Sequence, residues 1–428
     1  MSKAARLRRM AGKLGAPVIS QGLTAGTSLL LQVVAARMLG LTEYGAFAVF
    51  LAVLVSATAL YTGYVGDSLA VLDRRERHTR AALSTSALIA LGLSLVIGIG
   101  SSLVLRPDEP VVALLYPVML IGWLVEETFR RLLIARQEFW RLVVNDFAYL
   151  LGTFVALGAW YLSARTVTLP MIFGAMGVGT VAAIVTGFGQ LPRAELRRLR
   201  PGLAGMREVA SFAGWRSMHA TLRPAALLAS RLLVANLVSL TAVGLLEAGR
   251  LVIAPLQVVV NGAGSFLLAG FAAGERNGGR DAGKTAGRAA WLLAGVTLVG
   301  GAGLALFAGP LGSLLAGQQV DRLLVLGWVI YLGVWAAGLP YVTEVTARKL
   351  SRSVFWVRLA DSAAGLVLVL AALLAGAPVT AVPWLMAAGG LYSVLRLRAL
   401  AVRTRKLAPG PAVQLRTDLE ATVRIPHV

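Results

Sequence analysis

The sequence predicts an all-α polytopic membrane protein of about 12 transmembrane helices in two six-helix lobes, with both termini cytoplasmic. Three observations predict it. The 428 residues are 57% hydrophobic with a mean hydropathy of +0.75, more apolar side chain than a soluble core absorbs. Twelve apolar runs of about 20–25 residues recur, each long enough to cross a bilayer as a helix. Basic residues fill alternate connections, so that 32 of the 41 Lys and Arg fall on one side of such a layout and 4 on the other. Lys and Arg concentrate on the cytoplasmic side of membrane proteins, which fixes the orientation.

The first run, 15–36, follows the basic stretch MSKAARLRRMAGKLG. It is too long and too polar for a signal-peptide core and lacks a convincing cleavage site, so we expect it to be retained as a span. Runs 44–66, 81–105, 111–128, 145–164 and 169–189 complete the first half; single arginines on their outer connections contrast with four on each inner one. The longest basic linker, LPRAELRRLRPGLAGMRE, then divides six spans from six. Runs 209–238, 242–272, 289–309, 323–346, 354–376 and 378–396 form the second half. The expected organisation is therefore an N-terminal lobe 1–191, a linker 192–206, a C-terminal lobe 207–398 and a basic cytoplasmic tail 399–428. Across the linker, LTEYG at 41–45 aligns with LTAVG at 240–244 at an offset of 199, each copy following the first helix of its half. With an even number of spans per half, the two copies share one orientation, a parallel repeat.

Composition also excludes functions. There is no cysteine and only His78, His219 and His427, so neither disulfides nor a thiolate or histidine metal site is expected. The net charge of +21 is accounted for by topology and by attraction to anionic lipid headgroups, without nucleic acid. GGRDAGKT, 278–285, satisfies the spacing of a phosphate-binding loop, but that chemistry needs a strand entering and a soluble helix leaving. Here the flanks are membrane helices, so no nucleotide and no cofactor is expected. No hydrolase or metalloprotease motif occurs, and we expect no enzyme.

The seventh run carries RSMHATLRPAALLASR, 216–231. A cation at the bilayer centre costs about 2.5–3.5 kcal/mol or more, so intramembrane arginines require a reason. At about 100° per residue, Arg216, His219, Arg223 and Arg231 occupy one third of the helix circumference. Pro224 should locally open the helix, which backbone facing lipid would not tolerate, so this face is expected to be protein-lined or wet. Such a cationic stripe suits an anion, with Arg250 on the next span as a further contact. The repeat offset places Thr24 opposite Arg223 and Gln32 opposite Arg231, making the polar side of the first helix the counterpart of that stripe. Structural alternatives are that Arg216 snorkels, that Arg231 or Arg250 pairs with Glu247, and that His219 is a neutral core group. Asp67, Glu126, Glu127, Asp146 and Glu344 read as helix-end carboxylates, solvated or paired with neighbouring arginines; Arg358 and Asp361 read as a one-turn pair. Asp67 and Asp361 are the candidates for ion coupling.

LLLQVVAARMLGLTEYGAFAVFLAV (29–53), RRLLIARQEFWRLVVNDF (130–147) and SRLLVANLVSLTAVGLLEAGRL (230–251) resemble bacterial polysaccharide flippases of the O-antigen type. These belong to the multidrug/oligosaccharidyl-lipid/polysaccharide exporter superfamily, and the resemblance covers nearly the whole chain. Leu41 stands where that family commonly has proline, Leu246 where it has tyrosine, and Ser230 where an acid often precedes the arginine, which leaves Arg231 less obviously neutralised. The resemblance implies two lobes around a central cavity and alternating access without ATP hydrolysis, in the bacterial cytoplasmic membrane. With the cationic stripe, the expected substrate is a polyprenyl-diphosphate-linked oligosaccharide held by Arg223, Arg216, Arg231, Arg250 and His219, with Thr24 and Gln32 completing the site. The alternatives are an ion-coupled multidrug antiporter, and a membrane scaffold recruiting polysaccharide-assembly enzymes through its basic loops and tail.

Overall fold

The computed structural model describes residues 3–72, 76–192, 201–263, 267, 282–347 and 350–407. Most of the tail, the centre of the linker, the end of the eighth run and the start of GGRDAGKT lie outside the described residues. Every long element is a helix: α1 Lys3–Met38, α2 Leu41–Tyr61, α3 Asp67–Val71, α4 Arg77–Leu105, α5 Pro110–Ala135, α6 Phe139–Ala164, α7 Leu169–Gln190 and α8 Met206–Leu237. They continue as α9 Leu240–Val252, α10 Ala254–Ala263, α11 Ala282–Leu306, α12 Ala308–Ala316, α13 Arg322–Ala347, α14 Ser351–Leu374 and α15 Val382–Leu407.

Ten helical segments among the described residues are long and apolar enough to cross a membrane. α9 and α10 pass the same test only together, bent by 61° at Ile253 just before Pro255, which has no N–H to continue the helix, as a broken span or a re-entrant loop. α8 fails the test of apolarity because it carries Arg216, Arg223 and Arg231, yet its 32 residues extend about 48 Å. Ten such spans, or eleven with the bent pair, thus stand among the described residues against the twelve expected, and α8 lies where the seventh was expected.

The chain forms two compact units, Met1–Leu251 with Gly309–Val320, and Val252–Ala308 with Asp321–Val428. In the first, α7 packs on α5 and α6, α4 on α5, α1 on α6, and α2 on α8. Its centre is aromatic: Phe50 of α2, Tyr116 of α5 and Phe173 of α7 have ring centroids 4.5–5.2 Å apart. The Tyr116 hydroxyl donates to the Phe50 carbonyl at 2.8 Å, so the buried phenol is satisfied. In the second unit, α11 packs on α13, and α15 on α13 and α14. Ala290, Tyr341, Val345, Val354, Leu397 and Ala401 form its core.

α6 shows how the membrane inverts side-chain placement. Phe147, Leu151, Val155 and Leu162 recur at helical spacing on its exposed side, whereas Asn145, Asp146, Tyr149 and Thr153 are buried. Lipid is as apolar as a protein core, so the large apolar residues turn outward and the polar ones find partners inside.

The extents of α5 and α6 correct the sequence reading. The charged connection expected at 129–144 is helical almost throughout, and only 136–138 link the two helices. Glu126, Glu127, Asp146 and Glu344 are therefore not solvated helix ends: they are 2%, 2%, 5% and 1% exposed. α2 likewise runs on through a π-helical turn, Thr62–Gly66, into α3. Here Gly63 lies against α8 so closely that a Cβ would stand 2.5 Å from the Ser217 Cα.

Candidate functional site

The arginines of α8 do not stand together; they are divided among partners at different depths. Arg216 is half exposed and donates through Nε and Nη2 to Asp67 Oδ2 at 3.0 and 2.6 Å. The partner is brought by α3, at the end of the π-helical turn, where the additional residue rotates the following helix relative to α2. Arg223 and His219 lie one to two turns further along and are partly buried. Arg231 is buried, and its Nε donates to Glu247 Oε1 at 2.7 Å. The expectation that Arg231 is poorly neutralised, drawn from the serine before it, is thus corrected: the acid comes from α9 instead.

Glu247 is shared. Its second oxygen accepts from Arg250 Nε at 2.6 Å, and Arg250 Nη2 reaches across to Gln32 Oε1 on α1 at 3.0 Å. The line Arg231, Glu247, Arg250, Gln32 joins three helices. Both guanidinium groups bind one carboxylate, which is itself 2% exposed, so water contributes little to solvating its charge. Of the expected site, this line unites Arg231, Arg250 and Gln32.

Thr24 belongs elsewhere. Its Oγ1 donates to the Ser20 carbonyl at 3.0 Å and accepts from Arg130 Nη2 at 3.2 Å, within a second network centred on α5. Arg130 pairs with Glu127 at 3.0 Å and Asp146 at 2.9 Å, and lies 3.7 Å from Glu126. Arg131 pairs with Glu127 at 2.6 Å. Asn145 Nδ2 donates to Glu126 at 3.0 Å, Thr62 Oγ1 to Glu127 at 3.3 Å, and Ser20 Oγ to Asp146. Three carboxylates face two guanidinium groups, a formal charge of one negative.

Sequence reasoning missed this cluster as a site. The signal was present: Glu126 and Glu127 stand four and three residues before Arg130, the spacing that pairs side chains on one helix face. It was hidden by ending the span at 128 instead of 135.

Asp361 lies in the other unit. Arg358 Nη1 faces it at 3.4 Å and donates to Ser393 Oγ at 3.3 Å, while its guanidinium stacks 4.3 Å from the Trp335 ring centre. The one-turn Arg358 to Asp361 pair read from the sequence is present. Asp67 and Asp361 belong to separate units. Among the described residues, no group of three or more His, Cys, Asp or Glu could hold a metal ion. On the short turn between α5 and α6, Glu138 accepts from Arg136 at 2.9 Å and Arg141 at 2.7 Å, which holds its carboxyl below the ordinary range.

No protein-family model and no curated protein sequence matches the chain. Solved structures do. An inward-facing multidrug resistance MATE family transporter of the MOP superfamily superposes with a TM-score of 0.68 at 13% identity, covering 92% of this chain and 98% of that one. The lipid II flippase MurJ, in an inward closed conformation, gives 0.67 at 11% identity, covering 91% and 87%. An outward-facing MATE transporter gives 0.63 at 13% identity, covering 92% and 94%. At such identities the likeness is one of fold, and the fold of this chain, a multi-pass helical membrane protein, is that of the MOP-superfamily transporters.

Proposed function

We propose that the protein is an alternating-access flippase of the bacterial cytoplasmic membrane that exports a polyprenyl-diphosphate-linked oligosaccharide, a precursor of cell-surface polysaccharide. The observation that carries this reading is the convergence of two arginines within the membrane-spanning part, buried Arg231 and partly exposed Arg250, on Glu247, with Gln32 beside them. Cations within a membrane-spanning region are costly, and a place that gathers them suits a visitor of the opposite sign. A diphosphate is such a visitor. Arg231 and Arg250 with Gln32 would hold it at one end of α8, and Arg223 and His219 would extend the path. Arg216 is 15 residues from Arg231, about 22 Å along a helix, so the two would meet the diphosphate successively. Thr24, tied to Arg130, would line the sugar's route. The basic connections would rest on anionic lipid headgroups and offer a surface to polysaccharide-assembly enzymes.

The test is binding of the purified protein to a polyprenyl diphosphate oligosaccharide and to the same lipid lacking phosphate, in wild type, Arg223→Ala and Arg231→Gln. Diphosphate-dependent binding, weakened at least tenfold by each substitution, is expected, since a charge-assisted contact contributes about 1.5–3 kcal/mol. Equal binding of both lipids by all three proteins would refute the reading.

A second reading, an ion-coupled multidrug antiporter, is favoured by the buried Glu126, Glu127, Asp146 and Arg130 cluster, whose excess negative charge suits a proton or a monovalent cation. Asp67 and Asp361, each held by an arginine, are its further candidates. Dye efflux driven by an imposed proton or sodium gradient, and lost in Glu126→Gln, would establish it in place of the first.

A further inference from the structure

The first turns of α2 and α9 lie against each other. Thr42 Oγ1 and Thr241 Oγ1 are 2.7 Å apart, and a Cβ on Gly45 would overlap the Leu240 carbonyl and stand 3.0 Å from the Gly244 nitrogen. Glu247 follows Gly244 by three residues, one turn along the same face of α9. This register brings Tyr44, the residue before Gly45, within electrostatic reach of Glu247, Arg250 and Arg231. Tyr44 is 1% exposed, and its ring packs on Phe47 with centroids 6.5 Å apart. A buried phenol ordinarily finds a hydrogen-bond partner. Two others as deeply buried do: the Tyr61 hydroxyl is 2.6 Å from Thr128 Oγ1, and Tyr116 donates to the Phe50 carbonyl at 2.8 Å. The Tyr44 hydroxyl has no hydrogen-bond partner among the described residues. At the same place in the second copy of the repeat stands Val243, itself buried, so packing there asks for an apolar side chain and no hydroxyl.

We propose that Tyr44 is a positioning residue for the anion site: when a diphosphate takes the guanidinium groups of Arg231 and Arg250, Glu247 gives up its two donors and Tyr44 donates to it instead. The ligand is that of the flippase reading, on which this role rests. Before the anion arrives, Glu247 accepts from Arg231 Nε at 2.7 Å and from Arg250 Nε at 2.6 Å. A phosphate oxygen competing for either nitrogen strands a carboxylate that is 2% exposed and has little water to turn to. A phenol suits the exchange because it is neutral. Its hydrogen bond does not draw Glu247 from two guanidinium groups, which carry full charges, yet it is at hand once they turn away. Access is from the side of Arg250 and Gln32, the members of the line that keep partial exposure, whereas Tyr44 belongs to the closed side with Glu247.

Two double-mutant cycles test this. In the first, wild type, Tyr44→Phe, Glu247→Gln and the double variant are titrated with the polyprenyl diphosphate oligosaccharide; phenylalanine keeps the ring and its packing on Phe47. Tyr44→Phe is expected to weaken binding about tenfold in wild type, the loss of one hydrogen bond to a charged group. In the Glu247→Gln background, where no charged acceptor is left, it is expected to weaken binding by less than about twofold. Equal weakening in both backgrounds would make Tyr44 a direct ligand contact or a packing residue, and no weakening in either would make it inert; both overturn the proposal. The second cycle needs no ligand. Arg250→Gln frees one oxygen of Glu247, so Tyr44→Phe is expected to lower the unfolding midpoint of Arg250→Gln while leaving that of wild type unchanged or slightly raised. Absence of that difference overturns the proposal whatever the lipid does. If the difference is found and no variant binds the diphosphate lipid, the donation from Tyr44 to Glu247 stands and the substrate reading falls.

Discussion

Glu247→Gln tests the Glu247 network at its centre. The carboxylate accepts from Arg231 at 2.7 Å and Arg250 at 2.6 Å, with Arg231's side chain 8% exposed and its own 2%. Glutamine keeps the volume and one acceptor but leaves two guanidinium groups facing an uncharged neighbour. Two charge-assisted hydrogen bonds of about 1.5–3 kcal/mol each would be weakened, and breaking a buried ion pair costs about 3–5 kcal/mol. We therefore expect Glu247→Gln to lower stability by about 3 kcal/mol, toward the bottom of that range because the amide oxygen still accepts. The assay is equilibrium unfolding of the purified protein in mixed micelles, by tryptophan fluorescence. A double-mutant cycle with Arg231→Gln should return a coupling of about 1–3 kcal/mol, since the double variant no longer strands Arg231. The same variant removes the carboxylate that competes with an anion for both guanidinium groups, so under the flippase reading it should bind diphosphate lipid more tightly than wild type. A loss below about 0.5 kcal/mol with a cycle coupling near zero would mean that water screens these ion pairs, and the argument from their burial would fail.

In the α5 cluster, Arg130→Ala should destabilise far more than Arg131→Ala, because Arg130 faces Glu126, Glu127 and Asp146 whereas Arg131 faces Glu127 alone; comparable unfolding midpoints for the two would contradict this. Glu138 has its carboxyl lowered by Arg136 and Arg141, so its pairing adds stability fully above the ordinary carboxylate value and loses it as pH falls through the lowered one. The midpoint difference between wild type and Glu138→Gln should accordingly be constant near neutral pH and vanish in acid, and a difference that grows on acidification would reverse the sign of the argument. Gly63→Val should cost more than about 1 kcal/mol, since its Cβ would stand 2.5 Å from the Ser217 Cα of α8, backbone that cannot swing aside. Gly92→Val on exposed α4, which meets nothing within 4 Å, is the control that should fall within about 0.5 kcal/mol.

What the sequence determined by itself is whatever is written locally. Apolar runs of bilayer length and the alternation of arginine and lysine yielded the helices, because in lipid the backbone has few alternatives to satisfying itself. LTEYG and LTAVG revealed the repeat, and pairs close in the chain, Arg358 with Asp361 and Arg231 with Glu247, were legible because one helical turn or one tight connection brings them together. Tertiary structure decided the rest. Arg216 finds Asp67 across 149 residues, and Ser20 finds Asp146 across 126, because α8 lies on α2 and α1 lies on α6. No spacing rule reaches that far. Hydropathy even misled where charge was densest: Arg130 and Arg131, just beyond Glu126 and Glu127, looked like the start of a loop, and only packing showed that these groups and Asp146 pair inside the protein rather than in solvent. The same holds for the threonines of the repeat. Sequence placed them in register, but only the packing of α2 against α9 made that register a contact.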